Sequence, residues 1–407
     1  MSQVVDRVKG WIILPRATRD GAPLFWFTAL VVGALTMIGL VMVLSASSVM
    51  SISKHDSAWY VFNRQLVFAV AGTVAFYVGA RINYHWLVKI SSKLLLLTLF
   101  LLTIVLIPGI GRSINGSRRW IGINSTFGFQ PSEMAKLALL LFCAKTLSRR
   151  AGRLHDWRHV MLPLILILVT MGGLVMLEPD LDTAIEMAII ATGVMWAAGV
   201  PKRQLAVLTS IEVAAAAVLA LISPYRLGRL LTFMDPDRDA LNTSYQIKQS
   251  LIALGRGGWT GVGLGNGHAK WLFLPAAHTD FIFAIIGEET GVVGGVIVLA
   301  LFGAFAFVGC KISLRAPDRE GMLIAAGVTA WVCGQTIINI AMVIGLAPVS
   351  GTPLPFISAG GSSLIVLMGA VGVLANVARQ CVLTSPAPSM AHPAVRRAHG
   401  LRVVPSA

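Results

Sequence analysis

The sequence predicts an all-α polytopic membrane protein with ten transmembrane helices. Of its 407 residues, 56% are hydrophobic and 13% are charged, and the mean hydropathy is +0.77. Apolar runs of about 20 residues, the length of helix that crosses the hydrocarbon core of a bilayer, recur along the whole chain. The bilayer, rather than a single water-excluding core, therefore organises the chain.

The predicted spans follow one another with short connections, apart from one long loop. In chain order they are 25–46, 63–80, 88–107, 132–147, 160–177, 181–199, 204–222, 281–310, 322–345 and 359–381.

Three regions follow from these spans: a cytoplasmic N-terminal segment (1–24), a membrane domain (25–381) and a flexible Pro-rich cytoplasmic tail (382–407). Within the membrane domain, a large outer loop (223–280) joins the seventh and eighth helices. A loop of this length is usually functional or disordered. Apolar residues at helical spacing from Tyr245 onward predict a partly ordered segment that lies on the membrane.

Basic residues set the predicted orientation. Most of the 33 Lys and Arg residues fall in the two termini and in the loops that an even number of spans places on the same side. By the positive-inside rule this side is cytoplasmic, so both termini are cytoplasmic. The net charge of +15 then reflects this bias and an affinity for anionic lipids. Nucleic-acid binding is not indicated, because the basic residues are spread over short segments.

Two motifs place charge near the predicted outer side. "GSRRW" (116–120) holds adjacent arginines, which either anchor the loop at the interface or clamp an anion through Arg119. "QPSEMAK" (130–136) opens the fourth span, and its Glu133 and Lys136 share a helix face and can pair. That pair is either structural or part of the charged wall of an outward-facing cavity.

Two glycine-rich motifs are also on the outer side. "PFISAGGSS" (355–363) begins a helix, where free N–H groups favour anions; the alternative is a turn with close helix packing. "GWTGVGLGNG" (258–267) lacks the Gly-Lys-Ser/Thr and the flanking strand of nucleotide-binding loops. It predicts a tight backbone path near a ligand or another helix.

The stretch "LPAAHTDFIFAIIGEETG" (274–291) places acids at the start of the eighth span and inside it. Asp280 is suited to cap the helix or to act chemically. Glu288 and Glu289 lie about two turns deeper, and both cannot face lipid cheaply, so a polar interior is expected nearby. Together these motifs predict a cavity that is open to the outside and handles an anionic, lipid-borne substrate.

Seven motifs stand in the order in which they occur in the SEDS family (shape, elongation, division and sporulation), and the chain resembles that family over about 25–381. They are "RRWI", "QPSEMAKLAL", "EPDLDTA", "SYQIKQSLIALGRGG", "GVGLGNG", "LPAAHTDFIFAIIGEE" and "PLPFISAGGSS". The resemblance implies a multi-pass bacterial enzyme of the cytoplasmic (inner) membrane that polymerises lipid II into peptidoglycan strands. It also implies a class B penicillin-binding protein of the FtsI kind as partner. Within the family the chain is most similar to the FtsW branch, which implies the division septum and other divisome membrane proteins.

The resemblance further implies that Asp280 is the catalytic carboxylate, and it places Glu133 and Lys136 in the central cavity. Three positions depart from the family pattern: Ala276 replaces a Glu, and "EPDLDTA" introduces Glu178 and Asp182. The predicted substrate-binding residues are Arg119, Glu133, Lys136, Gln246, His278, Thr279, Ser358, Gly360 and Gly361.

In the expected reaction, a lipid II sugar hydroxyl attacks the anomeric carbon of a pyrophosphate-linked strand and forms a β-1,4 linkage. Asp280 accepts the hydroxyl proton as general base. Arg119, Lys136 or a divalent cation such as Mg²⁺ or Mn²⁺ neutralises the leaving lipid pyrophosphate, although no dense carboxylate cluster specifies a metal site. The alternatives are a lipid II flippase, a RodA-type synthase of cell elongation and a scaffold that recruits a synthase.

Overall fold

The computed structural model describes residues 21–114, 117–122, 128–235 and 243–381. In these residues a helix overlaps each of the ten predicted spans, and the predicted outer loop contains two more. The helices are α1 (Ala22–His55), α2 (Tyr60–Arg81), α3 (Tyr84–Val105), α4 (Pro131–Arg149), α5 (Leu162–Leu177), α6 (Leu181–Ala197), α7 (Lys202–Ile222), α8 (Pro224–Met234), α9 (Thr243–Gly257), α10 (Ile282–Arg315), α11 (Arg319–Val343) and α12 (Gly361–Gln380).

Smaller elements connect some of these helices. Two short antiparallel strands, β1 (Gly111–Ile114) and β2 (Ser117–Ile121), lie between α3 and α4. A 3₁₀ turn (Ala151–Arg153) and a π-helical turn (Trp157–Met161) precede α5. The predicted cytoplasmic tail, nearly all of the predicted N-terminal segment and residues 236–242 of the outer loop lie outside the described residues.

Eight of the helices in the described part are long and apolar enough to cross a membrane: α1, α2, α3, α5 with the turn before it, α7, α10, α11 and α12. The chain is therefore a multi-pass membrane protein. Of the other two predicted spans, α4 carries four charged residues and α6 is only 17 residues long. Both pack against the central helix α11. The number of ten crossings, the predicted domain limits and the orientation stay predictions.

The centre of the bundle is formed by α11 and α12, and α7 lies at its edge. Of the most apolar stretch of each helix, 61% of α11 and 72% of α12 are buried, compared with 11% of α7. Small residues allow α12 to approach α2 closely, because a Cβ at Gly372 would lie 2.3 Å from the carbonyl oxygen of Phe76 and one at Gly79 would lie 2.6 Å from that of Gly369. Close approach of backbones at small residues is the usual basis of helix packing in membranes.

Helix α10 is interrupted near its first third, and a neighbouring segment completes its hydrogen bonds. Gly291 has φ 69° and ψ −167°, which is not helical. The amides of Val262 and Gly263 donate to the carbonyls of Glu288 (3.0 Å) and Glu289 (3.1 Å). In return, the amide of Val292 donates to the carbonyl of Gly258 (2.9 Å) and that of Val293 to Trp259 (3.2 Å). The glycine-rich segment (258–267) thus follows a tight path against another helix. Of the two predicted neighbours, a ligand or another helix, the structure shows the helix.

The two carboxylates beside this interruption are fully compensated. Glu288 accepts hydrogen bonds from the amides of His268 (2.9 Å) and Ala269 (3.0 Å). Glu289 accepts from the hydroxyl of Ser45 at 2.6 Å and lies 3.2 Å from the ammonium group of Lys270. Buried charges need such partners, so the polar interior predicted around this helix is confirmed.

We expect Gly291→Ala to lower the free energy of unfolding by on the order of 3 kcal/mol, because the backbone conformation at this position is accessible almost only to glycine. An added Cβ would also lie 2.4 Å from the amide nitrogen of Gly261 and 2.5 Å from the carbonyl oxygen of Trp259. Thermal unfolding of the purified protein in detergent measures the loss.

The matched control is Gly303→Ala on the same helix, where a Cβ meets nothing within 4 Å. There alanine should be neutral or stabilising by up to about 1 kcal/mol. Equal unfolding temperatures for the two variants would mean that the interruption of α10 carries no conformational requirement.

Candidate functional site

Two loops meet at one end of the bundle: the Asp280 loop (residues 276–281), which leads into α10, and the Ser358 loop (residues 351–360), which leads into α12. In the Asp280 loop the chain folds back on itself, and the amides of Thr279 and Phe281 donate to the carbonyl of Ala276 at 3.1 and 3.3 Å. The first helical residue is Ile282, the N-cap is Phe281, and no side chain caps the helix. The interpretation of Asp280 as a helix cap is therefore wrong, and its carboxylate is not engaged by the amino end of α10.

Asp280 is half-buried and is surrounded by charges of both signs. Its backbone carbonyl accepts a hydrogen bond of 2.7 Å from the side-chain amide of Asn339. Burial raises the pKa of the Asp280 carboxyl to about 7, and the negative charge of Asp182 raises it further, whereas Arg229 and Arg119 oppose the shift. A carboxyl with a pKa near 7 can both accept and release a proton at neutral pH; the catalytic role of Asp280 stays a prediction.

The Ser358 loop holds the Asp280 loop through the main chain. The hydroxyl of Ser358 donates to the carbonyl of Thr279 at 2.6 Å, and the amide of Ala359 donates to the carbonyl of His278 at 3.0 Å. The side-chain amide of Gln65 on α2 in turn donates to the carbonyl of Ser358 at 3.2 Å. Three predicted site residues, His278, Thr279 and Ser358, are therefore brought together.

The His278 side chain is mostly uncharged at neutral pH. Burial lowers its pKa to about 4, and the positive charges of Arg64 and Lys54 lower it further. A neutral imidazole can donate or accept one hydrogen bond through each ring nitrogen. Contact of His278 with a substrate stays a prediction.

Gly360 and Gly361 stand at the amino end of α12, as the motif predicted. Gly360 is the N-cap and Gly361 is the first helical residue. In the same turn, the hydroxyl of Ser362 accepts a hydrogen bond of 3.2 Å from the amide of Gln130, which immediately precedes α4. The amino ends of α4 and α12 therefore adjoin, and binding of an anion there stays a prediction.

A buried charge triad, formed by Glu133, Lys136 and Glu186, joins α4 to α6. The Lys136 ammonium group lies 3.0 Å from the Glu133 carboxylate and in contact with that of Glu186. Their exposed fractions are 6%, 1% and 4%. The predicted pairing of Glu133 with Lys136 is confirmed, and Glu186 is a further member that spacing along one helix could not reveal.

A narrow cleft adjoins the triad. Glu133 and Gln335 contribute polar atoms to its wall, together with Ser358, and apolar side chains of the Ser358 loop and α12 complete it. The cleft therefore lies between the charge triad and the loop that holds the Asp280 loop.

Arg119 on β2 is held by the turn between α5 and α6. Its guanidinium donates to the carbonyls of Glu178 (3.3 Å) and Pro179 (2.7 Å) and lies 3.4 Å from the carboxylate of Asp180. Asp180 also accepts from the amide of Thr183 at 3.2 Å. In this arrangement Arg119 is paired, and its predicted role as an anion clamp stays a prediction.

Some residues near the site were not predicted from sequence to belong to it. Asp182 accepts a hydrogen bond of 2.8 Å from the amide of Gly351 and adds negative charge near Asp280. Gln335 and Asn339 bind the Ser358 loop from α11. The sequence contained a signal for these two residues, because two side-chain amides four residues apart in an apolar span lie on the same helix face. The predicted ligand Gln246 is half-buried on α9, which packs against α10 and α11.

The described residues do not supply a metal-binding set. Among them, no group of three or more His, Cys, Asp or Glu side chains is arranged to hold a metal ion. Arg119 and Lys136 are the cationic side chains among the predicted substrate-binding residues.

Comparison with known proteins gives a consistent family. The profile of the family described as "Cell cycle protein" (FTSW_RODA_SPOVE) matches residues 25–382. The chain is 41% identical over 361 residues to "Probable peptidoglycan glycosyltransferase FtsW" of Mycobacterium tuberculosis, covering 88% of this chain and 69% of that one. It is also 41% identical over 346 residues to "Stage V sporulation protein E" of Bacillus subtilis, covering 85% and 94%.

Solved structures are similar over most of the chain. One, described as "Structural coordination of polymerization and crosslinking by a peptidoglycan synthase complex", superposes with a TM-score of 0.72 at 29% identity and covers 87% of this chain and 97% of that one. The rod shape determining protein RodA of Thermus thermophilus superposes with a TM-score of 0.65 at 28% identity and covers 87% and 96%.

The charge triad leads to a prediction about stability. Lys136→Met leaves two carboxylates buried without their cation, and we expect it to lower the free energy of unfolding by about 3–5 kcal/mol. Glu133→Gln should cost less, because Lys136 keeps Glu186 as its partner. Thermal unfolding of both variants in detergent tests this order. Equal losses would show that the pairing does not hold α4 to α6.

Proposed function

This chain belongs to the FtsW, RodA and SpoVE family of cell cycle proteins, and we propose that it polymerises lipid II into β-1,4 glycan strands with Asp280 as the catalytic base. It is a membrane-embedded peptidoglycan glycosyltransferase of the hexosyltransferase type. The observation that supports the catalytic role is the environment of Asp280. Its main chain is fixed, its side chain does not cap the helix, and its pKa is about 7.

In the proposed reaction, one bond forms and one breaks at the anomeric carbon of the sugar. The hydroxyl oxygen of the acceptor sugar forms the new glycosidic bond, and its proton passes to the Asp280 carboxylate. The bond from the anomeric carbon to the pyrophosphate breaks, and the lipid pyrophosphate leaves with the bonding electrons. Release of the proton from Asp280 to solvent restores the base for the next addition.

The leaving pyrophosphate needs positive charge. Arg119 and Lys136 are the proposed sources, yet each is already paired, Arg119 with Asp180 and Lys136 with two glutamates. Binding the pyrophosphate would therefore require that each cation exchange a carboxylate for a phosphate oxygen. Such an exchange favours product release, because after each reaction the carboxylate competes with the lipid pyrophosphate for the cation and so displaces it.

The proposed partner is a class B penicillin-binding protein of the FtsI kind. A structurally similar chain belongs to a peptidoglycan synthase complex that coordinates polymerization and crosslinking. The identity of 41% to an FtsW protein favours septal cell-wall synthesis, with other divisome membrane proteins, over a RodA-type role in elongation. The proposed location is the division septum of the cytoplasmic membrane.

One observation favours lipid II flipping as a second candidate function. Interrupted helices are typical of transporters, and α10 is interrupted at Gly291. However, the glycine-rich segment already occupies the backbone groups freed by this interruption. They are therefore not available to bind a transported substrate, which makes flipping the weaker of the two candidate functions. Polymer formed by the purified protein and its partner in detergent, where no membrane separates two compartments, would exclude flipping as the sole activity.

We expect Asp280→Asn to lower the rate of lipid II polymerisation by on the order of 100-fold or more, because an amide cannot accept the hydroxyl proton at neutral pH. Asn is nearly isosteric and keeps the backbone-carbonyl contact with Asn339, and its side-chain oxygen can still accept the hydrogen bond from Thr279. The unfolding temperature and the binding of the partner should therefore stay close to those of the unsubstituted protein. The rate is measured on the purified complex in detergent, with stability determined on the same sample. A well-folded variant that polymerises at the normal rate would remove Asp280 from the mechanism.

The pH dependence of the reaction follows from the raised pKa. Asp280 accepts a proton only as a carboxylate, and a pKa of about 7 leaves it mostly protonated in more acidic solution. We expect kcat/KM to fall about ten-fold per pH unit below 7 and to level off above it. Initial rates at constant ionic strength test this expectation. An acid limb centred at the ordinary aspartate value of about 4 would contradict the buried setting of the base.

A further inference from the structure

Helix α11 carries three side chains that connect the charge triad to the Asp280 loop. Trp331, Gln335 and Asn339 are four residues apart in sequence, so they lie in a row along one face of the helix. Their exposed fractions are 1%, 4% and 0%. We refer to these three residues as the α11 row.

One end of the α11 row touches the triad. The Lys136 ammonium group lies 4.9 Å from the centre of the Trp331 ring, within the range of a cation–π contact. The indole N–H of Trp331 donates to the side-chain oxygen of Gln335 at 3.1 Å. The amide N–H of Gln335 then donates to the carbonyl of Pro353 in the Ser358 loop at 2.9 Å.

The other end of the row holds the Asp280 loop. The side-chain amide of Asn339 donates to the carbonyl of Asp280 at 2.7 Å and to that of Thr352 at 2.8 Å. Both partners are acceptors, so only the NH₂ group can occupy this position, and the orientation of the amide is determined. The NH₂ group of Asn339 therefore joins Asp280 to the Ser358 loop.

We propose that the α11 row is a positioning element that holds Asp280 in register with Lys136, and that Asn339 is its main member. The inference rests on the proposed role of Asp280 as the base. A hydrogen bond to the residue's own carbonyl fixes the position from which the carboxylate reaches the substrate. Displacement of a catalytic group by about 1 Å can cost on the order of 100-fold in rate.

The test is Asn339→Leu, which keeps a side chain of similar size and removes both hydrogen bonds. We expect kcat for lipid II polymerisation to fall by about 10- to 100-fold, with KM within about three-fold of normal, because Asn339 is buried and does not meet the substrate. The matched control is Thr336→Val. It removes the hydrogen bond of 2.7 Å between the buried Thr336 hydroxyl and the carbonyl of Val332 on the same helix, and it should leave kcat unchanged.

The pH–rate profile separates positioning from a general loss of structure. The loosened loop should admit water to Asp280, so the acid limb of kcat/KM should move to lower pH by on the order of one unit. The charged groups that act on Asp280 are Asp182 on α6, Arg229 on α8 and Arg119 on β2, and none of them is altered. A lower kcat with an unchanged pH profile would overturn the proposal.

A second variant covers the case in which Asn339→Leu does not fold. Gln335→Met is close in shape and removes the contacts to Pro353 and Trp331. It should lower kcat less and shift the pH profile in the same direction. Normal kinetics for Gln335→Met, or for a folded Asn339→Leu, would refute the positioning role of the α11 row. Loss of activity in Asp280→Asn would still support Asp280 as the catalytic base. Full activity of Asp280→Asn would instead refute the proposed function.

Discussion

A charge inside an apolar helix bundle must be compensated, and most of this structure is arranged to meet that requirement. The desolvation of an ion costs several kcal/mol unless a partner is in contact. Lys136 therefore lies between two carboxylates, Glu289 meets Lys270 and the Ser45 hydroxyl, and Glu288 accepts two loop amides. These contacts join α4 to α6 and fix the long loop against α10, so charge compensation also decides which elements pack together.

Two acids outside the helices instead have a raised pKa. Asp280 has a pKa of about 7, and burial, followed by the charge of Asp180, raises the pKa of Glu178 to about 8. Glu178 is fully buried, and its carboxylate oxygens have no hydrogen-bond partner among the described residues. A buried acid without a partner lowers its cost by binding a proton. Of the two acids, the half-buried Asp280 is the one suited to proton transfer with a substrate, whereas the fully buried Glu178 has no access to one.

The sequence determined the helices, their order and the residue types at the site. Apolar runs of membrane length and the motifs around Asp280, Glu133 and Lys136 predicted a helical membrane protein, its family and a paired Glu–Lys. The family followed from the resemblance of seven motifs in their order along the chain. The helices and the paired Glu–Lys depend on composition and on spacing within one helix, which are local. The glycine-rich segment was likewise read correctly as a tight path, because a run of glycines near a span limits the possibilities to close approach of a helix or a ligand.

Only the tertiary structure decided which groups meet across helices. It added Glu186 to the pair on α4, assigned the capping position of α10 to Phe281 in place of Asp280, and placed Asn339 against the Asp280 carbonyl. It also showed that Arg119 is held by Asp180. Each of these contacts joins residues far apart in the chain, and their distances depend on how the helices pack. A single sequence contains the partners of such contacts but not the packing that selects among them.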